Sequence, residues 1–273
     1  MTAEQQPSDL LARYIAHWQL RRDAAPFHTA SSVLQAVRWR GQPAMLKIAL
    51  TEEEIRGNQW MAWRDGRGAA AVLGLHGPAL LMARLLPEPS LPLMSQQGQD
   101  DQATRVLCRV ARELHRPGAE PLPVLMPLSQ WFQDLLQYQA GGEVALRQAA
   151  GLAASLLSSQ QEVTLLHGDL HHGNVMQGVG GWCAIDPKGL YGERGFDYAN
   201  LFCNPCLDVV LQPGRLERLL ALVCEEAGLV PQRLLGWIAA WSGLSVLWHR
   251  QDGGDERAAR HVLEQALAAL RLA

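Results

Sequence analysis

The stretch 167–174, which reads His-Gly-Asp-Leu-His-His-Gly-Asn, constrains this chain more than any other. It follows an apolar run at 163–166 and precedes a second apolar run, 182–185, that ends in Asp186. The pattern predicts a strand, a polar loop, a turn and a second strand that ends at an acid. An Asp and an Asn therefore lie five residues apart on one loop, and a second Asp follows the Asn by twelve residues.

Transfer of a phosphoryl group from a nucleotide needs this set of side chains. One carboxylate orients the attacking hydroxyl, and an Asn with a second carboxylate holds Mg²⁺ against the phosphates. An ordinary polar hairpin turn, with Gly173 and Asn174 supplying the reversal, is the alternative interpretation. The His two residues before the first Asp and the acid that closes a strand favour the chemical interpretation.

Composition excludes several other classes of protein. The 273 residues, 48% of them apolar, suit one large domain or two small lobes. A net charge of −3 gives no basic field for a nucleic-acid partner. No apolar run reaches the ~18 residues that a transmembrane helix requires, so no membrane partner is expected. The polar segment 1–8 shows no secretory pattern, and five cysteines in a chain of this length indicate reduced thiols in the cytoplasm.

Lys47 lies in the middle of an otherwise apolar predicted strand, 44–50. It is either an edge-strand charge that reaches water or a phosphate-binding Lys held by a carboxylate of the next helix. That helix is predicted to begin after Thr51, with Glu54 three residues later completing a capping box. Glu53 and Glu54 are both candidate partners of Lys47, and we favour Glu54.

The rest of the chain changes from strands to helices at a proline cluster, 87–92. Strands are predicted at 69–75 and 78–85 before it, with a hinge between two lobes at about 81–85. Amphipathic patterns then predict helices at 100–115, 129–136, 142–157 and 255–270, and two more that begin near residues 213 and 231.

Three further features have two interpretations each. Asp197 is either a helix N-cap or a brace behind the loop 167–174. The stripe of Trp237, Trp241 and Trp248 is typical of a core, with a ligand platform as the alternative. The Cys-x-x-Cys spacing at 203–206 suits a zinc or redox site only weakly, because no second pair of ligands lies at matching spacing.

These features resemble the aminoglycoside phosphotransferase family, a branch of the protein-kinase-like fold, over nearly the whole chain. Segments 166–175, 184–187, 192–194 and 196–200 are similar to its streptomycin 6-phosphotransferase group, which also contains hydroxyurea phosphotransferases. The resemblance implies an α+β, bilobal fold. Residues 1–83 would form a small nucleotide-binding lobe with an antiparallel sheet and one main helix. Residues 84–273 would form a larger, mostly helical lobe for catalysis and substrate binding.

The resemblance also implies a role for each matching residue. Asp169 would be the catalytic base that orients the hydroxyl. Asn174 and Asp186 would bind Mg²⁺. Lys47, held by Glu54, would bind the α- and β-phosphates of ATP.

Two residues would have structural roles, and two segments depart from the family pattern. His167 would support the geometry of the loop, and Asp197 would be structural. No G-x-G-x-x-G precedes the strand Lys, so the backbone N–H groups of Ser31 and Ser32 would cover the phosphates. Segment 186–188 reads Asp-Pro-Lys where protein kinases have Asp-Phe-Gly, which does not support a Phe-driven in/out switch.

The implied function is ATP-dependent phosphorylation of a hydroxyl of an aminoglycoside antibiotic, with streptomycin at its 6-position as the expected acceptor and resistance as the result. Another small hydroxylated acceptor, such as hydroxyurea, an amino alcohol or a sugar, would use the same loop chemistry. A non-catalytic nucleotide-binding regulator is a further alternative, although the complete set of reactive side chains argues against it. The expected partner is the small-molecule acceptor, and a monomer is favoured.

Overall fold

A computed structural model describes residues 7–118, 121–138 and 142–272. The first part of the chain forms α1 (Pro7–His17), β1 (Arg21–Arg22), β2 (Phe27–His28), β3 (Ser32–Trp39), β4 (Gln42–Ala49), α2 (Glu52–Arg64), β5 (Val72–His76) and β6 (Ala79–Ala83). The α-helices of the remainder are α3 (Leu91–Gln96), α4 (Asp100–Leu114), α5 (Leu128–Trp131), α6 (Gln133–Leu136), α7 (Val144–Ser158), α8 (Leu207–Val210), α9 (Arg215–Ala227), α10 (Pro231–Asp252) and α11 (Arg257–Leu272). The same part of the chain contains the short strands β7 (Met126–Pro127), β8 (Val163–Leu166), β9 (Val175–Gly178), β10 (Gly181–Ala184) and β11 (Leu190–Glu193). It also contains three 3₁₀ segments, His172–Asn174, Arg194–Tyr198 and Asn200–Cys203.

The first sheet is antiparallel, and its order within the described residues is β1-β3-β4-β6-β5, with β2 added on β3. Lys47 of β4 lies opposite Leu34 of β3 on one side and Leu80 of β6 on the other. β4 is therefore a central strand, and the interpretation of Lys47 as an edge-strand charge is wrong. β6 ends at Ala83, next to the predicted lobe boundary at 83/84, and the division of the chain there stays a prediction.

Side chains of β4 alternate between two packed faces, as the period of a strand requires. Ala44, Leu46 and Ile48 pack in a cluster with apolar residues of α1. Met45 packs on the other face, against the larger core that includes residues of α2. Lys47 shares the parity of Met45, so the strand directs it towards α2 and away from α1.

The helical part of the chain is built around α10, whose 22 residues pass through the larger core. Trp237 is fully buried, Trp241 is 6% exposed, and Trp248 is half-buried. The tryptophan stripe is therefore mainly core, as its helical spacing favours. No helix in the described ranges has both the length and the apolar character needed to cross a bilayer.

Helix α2 also packs directly on the segment that follows Asp186. A Cβ added at Gly57 would lie 2.3 Å from the carbonyl oxygen of Pro187. Arg56 Nε donates to the carbonyl oxygen of Lys188 at 2.9 Å. The contact is so close that the helix requires a glycine at position 57, although glycine is a poor helix former.

Gly57→Ala should therefore destabilise the protein by about 1–3 kcal/mol, because the new methyl group forces the helix away from Pro187. Gly151→Ala in α7 is the matched control, since a Cβ there meets open space. That change should stabilise the protein by up to about 1 kcal/mol through helix propensity. Urea unfolding of both variants measures the free energies, and a stabilised Gly57→Ala protein would contradict the packing described here.

Candidate active site

Strand pairing brings the three predicted reactive side chains of the loop region together. β8 leads into the loop at His167, and β11 pairs back along β8 in antiparallel register. The N–H of Ile185 donates to the carbonyl oxygen of Asn174 at 2.9 Å, and the N–H of Lys188 donates to that of His167 at 2.7 Å. Asp186 is therefore held beside the loop that carries Asp169.

Asn174 is oriented by Asp169. Its Nδ2 donates to the Asp169 carbonyl oxygen at 2.9 Å and to Asp169 Oδ2 at 3.2 Å. Because the NH₂ group makes these bonds, the Oδ1 atom remains as a donor of electron pairs to a cation. Together with the Asp186 carboxylate it forms an oxygen pair of the kind that binds Mg²⁺ alongside phosphates and water.

Lys47 forms ion pairs with both Glu54 and Asp186. Glu54 comes from α2, where the Thr51 hydroxyl accepts the Glu54 N–H at 3.3 Å. The hydroxyl therefore caps the helix as predicted, while the Glu54 side chain pairs with Lys47. Burial alone would raise the pKa of Asp186, but the adjacent Lys47 lowers it below its ordinary value.

Glu53, the other candidate partner of Lys47, pairs instead with Lys188 at 2.8 Å. Lys188 Nζ also lies 3.6 Å from Glu54 Oε1. Burial favours the neutral form of this lysine, but the hydrogen bond to Glu53 and the surrounding carboxylates raise its pKa overall. Lys188 thus adds a second fixed cation beside the cleft, which the sequence analysis noted only as a departure from Asp-Phe-Gly.

Ser31 and Ser32 act on Glu54 through their hydroxyl groups. Ser31 Oγ donates to Glu54 Oε1 at 3.0 Å, and Ser32 Oγ donates to Oε2 at 3.1 Å. Their backbone N–H groups donate to Thr29 Oγ1 at 3.4 and 2.9 Å. The predicted covering of phosphates by these N–H groups stays a prediction, and the structure adds a role in fixing the partner of Lys47.

Asp197 braces the reactive loop from behind. The N–H groups of His167 and Gly168 donate to its two carboxylate oxygens at 2.9 and 2.7 Å, and His115 Nε2 lies 2.9 Å from Oδ2. Burial would raise the pKa of Asp197, but the contact with His115 and these N–H groups lower it. The brace is the interpretation that the geometry supports, since Asp197 lies within a 3₁₀ segment and caps no α-helix.

His167 is also structural by its contacts. It is fully buried, and burial lowers its pKa, so the ring is neutral. The N–H of Asp169 lies 3.2 Å from Nδ1, and Nε2 lies 2.9 Å from the carbonyl oxygen of Ile185. A neutral ring that accepts at Nδ1 and donates at Nε2 satisfies both contacts. His167 therefore ties Asp169 to the strand that carries Asp186.

A cleft of about 210 Å³ lies over these groups. Its polar end contains Lys47, Glu54, Asn174 and Asp186, and its other walls include the apolar side chains of Leu34, Leu80, Met82 and Ile185. Apolar walls next to an end that carries a lysine and carboxylates suit a ligand with an aromatic base and phosphates. Among the residues that the structure describes, no three His, Cys, Asp or Glu side chains form a metal cluster, Cys203 and Cys206 included.

Asn200 is a contact of Asp169 that the sequence analysis missed, and Trp241 is in turn a contact of Asn200. Asn200 Nδ2 donates to Asp169 Oδ1 at 2.7 Å, and Trp241 Nε1 donates to Asn200 Oδ1 at 2.9 Å. Asn200 lies three residues after Asp197, in a segment already used for the resemblance, but no spacing rule indicated that its side chain reaches the loop.

Comparison with known proteins places this geometry in a family. The sequence model described as aminoglycoside/hydroxyurea antibiotic resistance kinase matches residues 17–253. The chain belongs to this family. It is a small-molecule kinase, a phosphotransferase with an alcohol group as acceptor.

Individual relatives of this kinase are similar over most of their length. A streptomycin 3''-kinase from Klebsiella pneumoniae is 47% identical over 242 residues, which cover 86% of this chain and 91% of the relative. A streptomycin 6-kinase from Streptomyces glaucescens is 30% identical over 263 residues, covering 89% and 83%. A solved aminoglycoside phosphotransferase mutant in complex with ADP and hygromycin B superposes with a TM-score of 0.60 at 15% identity, covering 95% and 97%. The bilobal protein-kinase-like fold is therefore confirmed.

Glu54→Gln should raise the dissociation constant for ATP by about tenfold or more, because Lys47, the expected phosphate ligand, loses its charged partner. A hydrogen bond between charged groups is worth about 1.5–3 kcal/mol. Glu53→Gln is the matched control one position away, and it should change this constant by less than about threefold. Isothermal titration of both variants measures the difference. Equal weakening in the two proteins would mean that Glu54 has no special role.

Asp197→Asn should lower the free energy of unfolding at pH 7 by about 2 kcal/mol, since one buried N–H loses its acceptor. The pKa of Asp197 is lower in the folded state, so its stabilisation is present above its ordinary value of 3.8 and is lost as the pH falls below it. The difference between wild type and variant should therefore shrink as the pH is lowered through about 4. Urea unfolding at pH 7, 5 and 3.5 tests this, and a constant difference would contradict it.

Proposed function

We propose that this kinase is an ATP-dependent O-phosphotransferase whose acceptor is streptomycin, and that phosphorylation of the antibiotic confers resistance. The observation that carries the proposal is that Asn174 and Asp186 line one cleft with the Lys47–Glu54 pair, while Asn174 is hydrogen-bonded to Asp169. Phosphoryl transfer needs a group that orients the hydroxyl, ligands for the metal and a cation on the phosphates, and each is present.

Asp169 orients the acceptor hydroxyl and takes its proton. The hydroxyl oxygen forms a bond to the γ-phosphorus of ATP, the bond from that phosphorus to the β–γ bridging oxygen breaks, and ADP leaves. Lys47 binds the α- and β-phosphates, and Glu54 holds its ammonium group in place. Asn174 and Asp186 would hold Mg²⁺, which would supply positive charge for the phosphate oxygens.

The hydroxyl that receives the phosphate is the finer part of the proposal. The sequence resemblance predicted the 6-position of streptomycin. The relative at 47% identity is a streptomycin 3''-kinase, whereas the 6-kinases are 30% and 29% identical. The higher identity supports the 3''-hydroxyl, and we propose that position, with the 6-position as the alternative outcome.

Acidic side chains that would meet a polycationic acceptor must not already be paired within the fold. Glu193 is buried, pairs with Arg233 and accepts from Trp237 Nε1 at 2.9 Å. Glu226 pairs with Arg105 and Arg112. Both acids are therefore already paired with side chains of the fold.

Purified protein should release ADP from ATP and Mg²⁺ only when streptomycin is added. Asp169→Ala should lower kcat by about 10²–10⁴-fold, because the group that orients and deprotonates the hydroxyl is lost. The dissociation constant for ATP should stay near that of wild type. A coupled ADP assay and nucleotide titration make the two measurements, and mass spectrometry with NMR of the product locates the phosphate.

Near-native turnover in Asp169→Ala would remove Asp169 from the mechanism. Turnover with hydroxyurea, an amino alcohol or a sugar but not with streptomycin would keep the kinase and replace the acceptor. Phosphate at the 6-hydroxyl would keep streptomycin and correct the position. ATP binding without turnover on any acceptor would favour the regulator.

A further inference from the structure

Two amide groups hold the carboxylate of Asp169, one on each oxygen. Asn174 Nδ2 lies 3.2 Å from Oδ2, and Asn200 Nδ2 lies 2.7 Å from Oδ1. The Asp169 side chain is 24% exposed, so a substrate can reach it while these bonds limit its rotation. The shorter of the two comes from a residue outside the loop 167–174.

The orientation of the Asn200 amide is fixed by its other neighbours. Trp241 Nε1 lies 2.9 Å from Asn200 Oδ1, and Asn204 Nδ2 lies 3.1 Å from the same atom. An indole N–H can only donate, so it requires an oxygen at that position. The NH₂ group of Asn200 must then point to Asp169.

Trp241 is itself held rigidly. It is 6% exposed in α10, and its ring makes edge contacts with Phe196 and Trp248 at centroid distances of 5.8 and 5.7 Å. Its N–H is therefore a fixed donor in the core. The chain of bonds runs from the core through Asn200 to one oxygen of the reactive carboxylate.

We propose that Asn200, oriented by Trp241, is a positioning residue for Asp169 in phosphoryl transfer. It holds Oδ1 so that the carboxylate keeps the rotation in which it meets the acceptor hydroxyl. The inference rests on the proposed role of Asp169. A reacting group that is displaced by about 1 Å can lose about 10²-fold in rate, which sets the size of the expected effect.

Asn200→Ala and Asn200→Asp should each lower kcat by about 10²-fold, while the dissociation constant for ATP stays within about twofold of wild type. Asn200→Asp keeps the shape but replaces the donor with a second carboxylate oxygen. Trp241→Phe should lower kcat by about tenfold, because it keeps an aromatic ring but no longer fixes the amide. In the Asn200→Ala background Trp241→Phe should cause no further loss of kcat, since both act through one bond.

Trp237→Phe is the matched control. It lies one helical turn away in α10 and also loses an indole N–H bond, but that bond runs to Glu193 at 2.9 Å and not to Asn200. It should lower Tm about as much as Trp241→Phe and leave kcat unchanged. Equal losses of kcat in the two tryptophan variants, or independent losses in the double variant, would overturn the positioning role of Asn200 and Trp241.

Asp169→Asn, measured in parallel, separates this inference from the proposed function. If Asp169→Asn has the kcat of wild type, the proposed role of Asp169 is wrong, and the positioning role of Asn200 is wrong with it. If Asp169→Asn is inactive while Asn200→Ala and Asn200→Asp keep wild-type kcat, only the positioning role of Asn200 is wrong. Crystal structures of wild type and Asn200→Asp give a readout without turnover. The Asp169 carboxylate should rotate in the variant, and an unmoved carboxylate would refute the positioning role.

Discussion

The burial of Lys47 is the constraint on which the cleft between the sheet and Asp186 depends. The residue is 5% exposed on a central strand, and an ammonium group removed from water is destabilising unless it is paired. One partner, Glu54, comes from α2, and the other, Asp186, comes from the C-terminal lobe. Glu54 matches the single charge of Lys47, and Asp186 adds a second carboxylate. The two ion pairs therefore join the sheet, α2 and the segment around Asp186 at one point.

A second set of contacts supports the loop 167–174. Asp197 fixes the backbone of His167 and Gly168, and Asn200 contacts the carboxylate of Asp169. Both anchoring residues lie on one short segment, which packs against α10 through Trp241. The rigid core of the helical lobe is thereby connected to the loop, and a loop alone would not hold a carboxylate with the precision that transfer requires.

Sequence analysis predicted the groups whose partners are close along the chain. Asp169 and Asn174 share one loop, Thr51 caps the helix that carries Glu54, and Lys47 lies on the strand just before that helix. It left Glu53 and Glu54 as alternatives, because both occupy the first helical turn and only their angle around the helix separates them.

The contacts of Lys188 and Asn200 could not be predicted from the spacing of residues along the sequence. Lys188 meets Glu53 across 135 residues and Asn200 meets Trp241 across 41, and such distances are set by how the elements pack. Helical periodicity predicted that the Trp241 ring is buried, but it carries no information about where a single N–H on that ring points. The hydroxyl that is phosphorylated is equally remote from the loop motif, since it depends on the shape of the acceptor pocket.

The same packing holds the Asp-Pro-Lys segment, 186–188, against α2. Asp186 has a φ of +61°, a left-handed conformation that Asp adopts more readily than most residues. Pro187 restricts the next φ and lies against Gly57, while Lys188 is held through its carbonyl oxygen by Arg56 and through its ammonium group by Glu53. Moving Asp186 away from α2 would break these contacts together with the Lys47–Asp186 ion pair. Asp186 and Glu54 are therefore held on either side of the Lys47 ammonium group by several contacts that act together.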